Sequence, residues 1–160
     1  MSVSQPSPND NGSAKPLPAL TLAAGGYVIL CDDGSKPLLE SFGSIIDFTS
    51  FAITNAEGVI TLQTPEGLVI HSVAYSDNWY NSNFKKDGGW SLEQIDPLNP
   101  CGGAANWTAS NNNQGGTPGK VNSVNASNPD NRPPTIARVG VSDATHITVW
   151  FTEQCDSTAI

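Results

Sequence analysis

The sequence predicts an all-β fold, a sandwich or barrel of short strands. Three observations point there. Apolar runs of strand length recur at short spacing, separated by Gly, Pro, Asn and Asp turns. Two of these runs, 58–63 and 68–75, are joined by Thr64-Pro-Glu-Gly67, which makes the clearest hairpin in the chain. No segment combines helical periodicity with credible caps.

Taken in order, residues 1–16 are Ser, Pro, Asn, Asp and Gly with few apolar side chains, the composition of a disordered lead or linker. Structure is expected to begin near Leu17. Tyr27-Val-Ile-Leu-Cys31 is an apolar run of strand length, stopped by Asp32-Asp-Gly34 because Asp and Gly accept turn geometries. Residues 42–51, with Ile45, Ile46, Phe48 and Phe51, fit a helical turn or an irregular strand; the preferred reading is a loop packing its aromatics inward. In the hairpin, Gly58-Val-Ile-Thr-Leu-Gln63 alternates, and Leu68-Val-Ile-His-Ser-Val-Ala-Tyr75 returns.

Residues 76–89 read as a polar and aromatic surface loop carrying Trp79, Tyr80 and Phe84. Residues 90–95 alternate again and are ended by Asp96-Pro97 and Asn99-Pro100. A short strand or extended piece follows at Asn106-Trp-Thr-Ala-Ser110, then an Asn/Gln/Gly-rich loop to Gly119. Residues 125–134 have a linker's composition, stiffened by Pro. Two further strands, 134–141 and 146–151, resemble the start of a new module, which two strands cannot complete by themselves.

Composition narrows the function classes. The net charge is −8, with seven Lys and Arg among 160 residues. Nucleic acid is therefore not an expected partner, because phosphate neutralisation needs clustered cations. No run is long and apolar enough to span a membrane, and the N-terminus lacks the basic and apolar regions of a signal peptide. Cys31, Cys101 and Cys155 are an odd number, so a Cys31–Cys101 disulfide and free thiols both remain open. No Cys-x-x-Cys occurs, which disfavours zinc and thioredoxin-like chemistry.

Several pieces together resemble the lamin tail domain. They are Leu20-Thr-Leu-Ala-Ala-Gly-Gly-Tyr-Val-Ile-Leu30, Phe51-Ala-Ile-Thr-Asn-Ala-Glu-Gly-Val-Ile-Thr-Leu62 and Asp77-Asn-Trp79. Gly89-Trp-Ser-Leu-Glu-Gln-Ile-Asp-Pro97, Asn106-Trp-Thr-Ala-Ser110 and Gly116-Thr-Pro-Gly-Lys120 are similar to the C-terminal part of its bacterial versions, often seen in exported proteins of Bacteroidetes-type bacteria. The likeness spans roughly 17–124 and implies an immunoglobulin-like β-sandwich. Members usually open with strands not found in residues 1–16, so either the first strands are lacking or the fold closes differently. A missing strand would expose an edge and an apolar face. The segment 135–160, with Ile147-Thr-Val-Trp-Phe-Thr152 and Cys155-Asp156, resembles the truncated start of a bacterial immunoglobulin-like domain.

No residue reads as catalytic, cofactor-binding or metal-ligating, and no cofactor is implied. His71 and His146 sit in strand patterns away from ligand-spaced Cys or Asp. Asp32-Asp-Gly-Ser35 lacks the alternating acids of a calcium loop and reads as a turn. Glu57 and Glu66 fall in turns, and Glu93, out of phase with Trp90 and Leu92, is expected to face solvent. Lys85-Lys86 reads as a solvated loop feature. Asn11, Asn106 and Asn125 open N-glycosylation patterns, which in a bacterial protein usually carry no meaning.

The aromatics remain. Trp90 and Trp107 are expected to fill the core, with Trp79 and Tyr80 covering a loop base. The alternative makes Trp79, Tyr80 and Trp107 a ligand-stacking surface for sugars. The resemblance implies a non-catalytic structural or interaction module of a larger secreted or cell-surface bacterial protein. Such a module positions neighbours, including an adjacent immunoglobulin-like domain, or binds a protein or polysaccharide partner at the cell envelope. A carbohydrate-binding module and an accessory domain of an exported hydrolase or nuclease are the alternatives.

Overall fold

The computed structural model describes residues 2–4, 14–131 and 133–152. The expectations for residues 5–13 of the lead, for the Asn11 pattern, and for Cys155 with the rest of 153–160 lie outside the described residues. Among the described residues the fold is all-β in small sheets, one of four strands and three of two, with little helix.

The largest sheet is centred on the predicted hairpin. Strands β5 (Glu57–Gln63) and β6 (Val69–Ser76) pair antiparallel from Glu57↔Ser76 to Gln63↔Val69, with a bulge at Leu62/Gln63. The chain turns where Gly67 N donates to Thr64 O at 3.0 Å, and Gly67 takes φ +88°, a value glycine accepts without a Cβ clash.

The reading of 1–16 as an unstructured lead is corrected at both its ends. Strand β1 (Ser2–Ser4) pairs antiparallel with β5 through Ser2↔Gln63, Val3↔Leu62 and Ser4↔Thr61. Strand β2 (Lys15–Pro16) pairs with β1 on its other side. Composition was a poor guide because backbone hydrogen bonds carry this pairing, and polar Ser supplies them as well as any residue.

The preferred loop at 42–51 is corrected too. Strand β3 (Ile29–Asp32) pairs in parallel with β4 (Ile45–Phe48), from Ile29↔Ile45 to Asp32↔Phe48. Parallel neighbours need a crossover. It is supplied by single helical turns: Asp33–Ser35, helix α1 (Lys36–Leu39) and Glu40–Phe42. The Asp32 carboxylate starts the first turn by accepting from Gly34 N at 3.0 Å, so the acidic pair is a turn device. Its other oxygen accepts from Phe51 N at 3.1 Å and ties the end of the crossover unit back. Lys36 Nζ closes on Asp47 Oδ1 at 2.9 Å, which lowers the Asp47 carboxyl from its ordinary pKa. Cys31, on β3, is a buried free thiol, so the Cys31–Cys101 disulfide is not formed; burial raises its pKa.

Strands β7 (Leu92–Gln94) and β8 (Trp107–Ala109) pair antiparallel through Glu93↔Thr108. The chain after β8 doubles back and runs alongside β7 as a strap. Ser91 N donates to Gly115 O at 2.7 Å, Asn122 Nδ2 to Gln94 O at 2.9 Å, and Ala126 N to Ile95 O at 3.1 Å. The first residues of the expected 125–134 linker are thus held on the body. Beyond them, β9 (Ile136–Val141) and β10 (Ile147–Phe151) form the two predicted strands as an antiparallel hairpin.

Candidate functional site

The conspicuous side chains gather around the β7–β8 pair. Glu93 is the clearest departure from expectation: it is buried, at 3% exposure, where the sequence reading had it facing solvent. Phase within β7 was the wrong criterion, because the strap covers the face that a lone hairpin would leave wet. One carboxylate oxygen accepts from Thr117 Oγ1 at 2.7 Å and Ser91 Oγ at 3.3 Å; the other accepts from Ser123 N at 2.8 Å and Ser123 Oγ at 2.7 Å. Burial alone pushes this carboxyl up, but the hydrogen bonds from Ser123, Thr117 and Ser110 outweigh it and hold the pKa below the usual range. A carboxylate so fully engaged has little capacity left to act on a substrate.

A second polar node sits one turn further on. Asn106 is fully buried. Its Oδ1 accepts from Asp96 N at 2.9 Å and Asn128 Nδ2 at 3.1 Å, while its Nδ2 donates to Asp96 O and Asn99 O, both at 2.7 Å. Burial removes Asn106 as a glycan acceptor in the folded chain. Asp96 accepts from Leu98 N and Asn128 N, at 2.9 and 2.8 Å, and Asn99 Nδ2 donates to Asn128 O at 2.7 Å. The buried Asn99 Oδ1 has no hydrogen-bond partner among the described residues. A hollow of about 940 Å³ opens beside Asn99 and Cys101 and runs to Thr135 and Thr152 at the base of the β9–β10 hairpin.

The three candidate stacking residues gather where the turn after β6 meets β8 and Trp90. The helical turn Asp77–Tyr80 follows β6 directly, capped by Ser76 Oγ accepting from Asn78 N at 3.3 Å. It carries Trp79 onto Trp107 of β8, with ring centroids 6.2 Å apart and planes tilted by 37°. Tyr80 donates its hydroxyl to Trp90 O at 3.0 Å, and burial raises its pKa. Trp79, Tyr80, Trp90 and Trp107 are all partly buried, neither sealed in the core nor standing free.

Lys85 and Lys86 are not simply solvated, as the sequence reading held. Helix α2 (Asn83–Lys86) is capped by Ser82 Oγ accepting from Lys85 N. Lys85 Nζ lies 4.5 Å from the Trp90 ring centroid and donates to Ser110 O and Asn111 Oδ1. Lys86 Nζ pairs with Asp77 at 3.1 Å. Asp77, Asn78, Asn81, Ser82, Asn83 and Lys86 enclose a shallow polar pocket of about 200 Å³ next to Trp79 in the chain. His71 lies exposed on β6; His146 Nδ1 meets Asp143 at 2.8 Å in the exposed β9–β10 turn.

Among the described residues, no three His, Cys, Asp or Glu side chains gather into a set that could hold a metal ion. Among the same residues no helix is long and apolar enough to cross a membrane. Comparison with known proteins yields no match: no family model fits the chain, and no curated protein or solved structure matches it. What fold and site define is therefore a class: an all-β chain of small sheets, braced by buried polar nodes under a strap.

Proposed function

We propose that this chain is a non-catalytic structural or interaction module of a larger secreted or cell-surface bacterial protein, folded as a lamin-tail-like immunoglobulin sandwich over 17–124. A linker at 125–134 and the first strands of a second immunoglobulin-like module follow it. The module positions its neighbours or binds a protein or polysaccharide at the cell envelope. One observation carries the reading: the side chains best suited to chemistry are consumed in bracing the fold. Glu93 is spent on Thr117 and Ser123, and Asn106 on Asp96, Asn99 and Asn128. The lamin-tail resemblance supplies the exported setting.

A second reading rests on the Trp79–Trp107 pair and on a pocket lined by Asn78, Asn81 and Asn83, the chain neighbours of Trp79; aromatic rings and carboxamides suit sugar rings and hydroxyls. A saccharide-binding panel run with thermal denaturation of Trp79→Ala separates the two. The structural reading expects no saccharide bound by either protein. It also expects the variant to lose about 2 kcal/mol, below a fully buried Trp→Ala because the ring is partly exposed. A saccharide bound by the unaltered chain and not by the variant, with melting unchanged, favours the sugar-binding reading.

A further inference from the structure

The strap, residues 111–126, is held on β7 with little apolar burial. Its apolar side chains are Pro118, Val121, Val124 and Ala126, and none of them is buried. What fixes it is polar, and three charged side chains grip it at its start, its middle and just past its end. Lys85 Nζ donates to Ser110 O and Asn111 Oδ1 at the start. Asp96 accepts from Asn128 N at 2.8 Å beyond the end. Between them Glu93 holds the middle, accepting from Thr117 Oγ1, Ser123 N and Ser123 Oγ. Both ends are thus tethered without Glu93.

The middle grip is the one that acid undoes. A carboxylate only accepts hydrogen bonds; once protonated it carries a donor hydrogen of its own. Donors face both oxygens of Glu93, so the added hydrogen has no acceptor until a hydroxyl of Thr117 or Ser91 rotates, and Ser123 N cannot become one. The bonds that survive lose the charge that strengthens them. Among the described residues no salt bridge includes Glu93. Of the charged groups on the elements packed here, Lys85 reaches Ser110 O, Lys120 on the strap is exposed, and Asp96 accepts from Leu98 N and Asn128 N. Thr108, opposite Glu93 on β8, does not titrate. Nor is the seam sealed. A hollow of about 210 Å³ opens among Ser91, Glu93, Thr117 and Asn122, so a proton reaches the carboxyl with the rest of the chain folded.

We propose that Glu93 is an acid-released latch: its protonation lets 112–124 lift from β7 as a loop, still tethered at Lys85 and Asp96, while the β5–β6 sheet stays folded. Opening returns Ser91 N, Gln94 O and the Glu93 carboxyl to water. Local opening of this kind follows from the strap's sparse apolar contacts. The lowered pKa of Glu93 agrees in sign: the closed strap prefers the charged form, so closure is favoured at neutral pH and weakens as pH falls through the folded value. The inference stands independently of the function proposed above.

Residue-resolved amide exchange on the whole chain at ~pH 7 and ~pH 3, on either side of the carboxylate range and corrected for intrinsic rates, tests it. The amides of Ser91 and Ser123 report the seam, since each bonds across it. At the lower pH they should lose protection about tenfold or more, the scale of weakening two or three charge-assisted bonds. Amides of β5 and β6 should lose less than about twofold, because they open separately. Glu93→Gln should leave the seam weakly protected at both pH values. Thr117→Val removes one donor and keeps the shape; it should move the loss to higher pH, and it decides the question if the glutamine variant misfolds. Seam amides equally protected at both pH values overturn the proposal, and so does an equal loss in β5 and β6, which is global unfolding. A loss that Thr117→Val leaves at the same pH overturns it. So does a Glu93→Gln chain that keeps the full acid response, because another group, such as Asp96, then governs the release.

Discussion

A buried carboxylate is tolerated only when donors replace the water it has lost, and Glu93 has four within 3.3 Å. Glu93→Gln keeps the shape but turns an NH₂ toward hydroxyl and amide donors; it should cost about 2–3 kcal/mol at pH 7 in a urea melt. The pH dependence follows from the lowered pKa. The contribution is fully present above the unfolded glutamate value near ~4.3 and is lost as pH falls through the lower folded value. The stability gap between the unaltered chain and Glu93→Gln should therefore close below about pH 4. A gap constant down to pH 2 would remove the carboxylate from this role. Asn106→Ala should be as harmful, about 2–4 kcal/mol, because it strands Asp96 N, Asp96 O and Asn99 O in a dry site. Neither role was legible in the sequence. Glu93 declares an alternating strand, and nothing local announces that Thr117 and Ser123 return to cover it. What could have hinted at it are the small polar side chains Thr117, Asn122 and Ser123, spaced along a segment of strand length.

Elements here are short, so turns carry much of the specification. The β5–β6 hairpin was legible because Pro65 and Gly67 fix the turn and the alternating residues fix the register. β1 and β4 were not: β1 is polar, and β4 depends on a crossover whose helical turns are each only three or four residues long. The strap depends on glycine in the same way. Gly115 has φ +89°, and a Cβ there would fall 2.0 Å from Gly89 O. Gly119 has φ +68°, and a Cβ there would fall 2.6 Å from Phe42 O, so the strap also passes close to the crossover of the β3–β4 unit. Gly115→Ala should therefore cost about 3 kcal/mol or more, combining left-handed strain with a backbone clash. Gly25→Ala is the control: its φ is +73° with nothing within 4 Å, so only the strain of about 1–2 kcal/mol remains. Equal melting temperatures for the two variants would mean the strap is not fixed where Gly115 places it.

At the scale of the whole molecule, the body and the C-terminal hairpin are stabilised by different means. The body has a four-stranded sheet and, beside it, the strap bonded along β7 from Ser91 to Asp96. The hairpin has two strands, joined at its base by Thr152 N donating to Thr135 O at 2.8 Å and by the Thr135–Thr152 side-chain contact. An isolated hairpin is marginally stable in water, and local opening follows local burial. Amide exchange should therefore show β5, β6 and the Glu93 node strongly protected. Amides of 136–151 should exchange orders of magnitude faster. Protection of the hairpin equal to that of β5–β6 would instead mean that the body itself shelters those strands, so that the two parts open together and not separately.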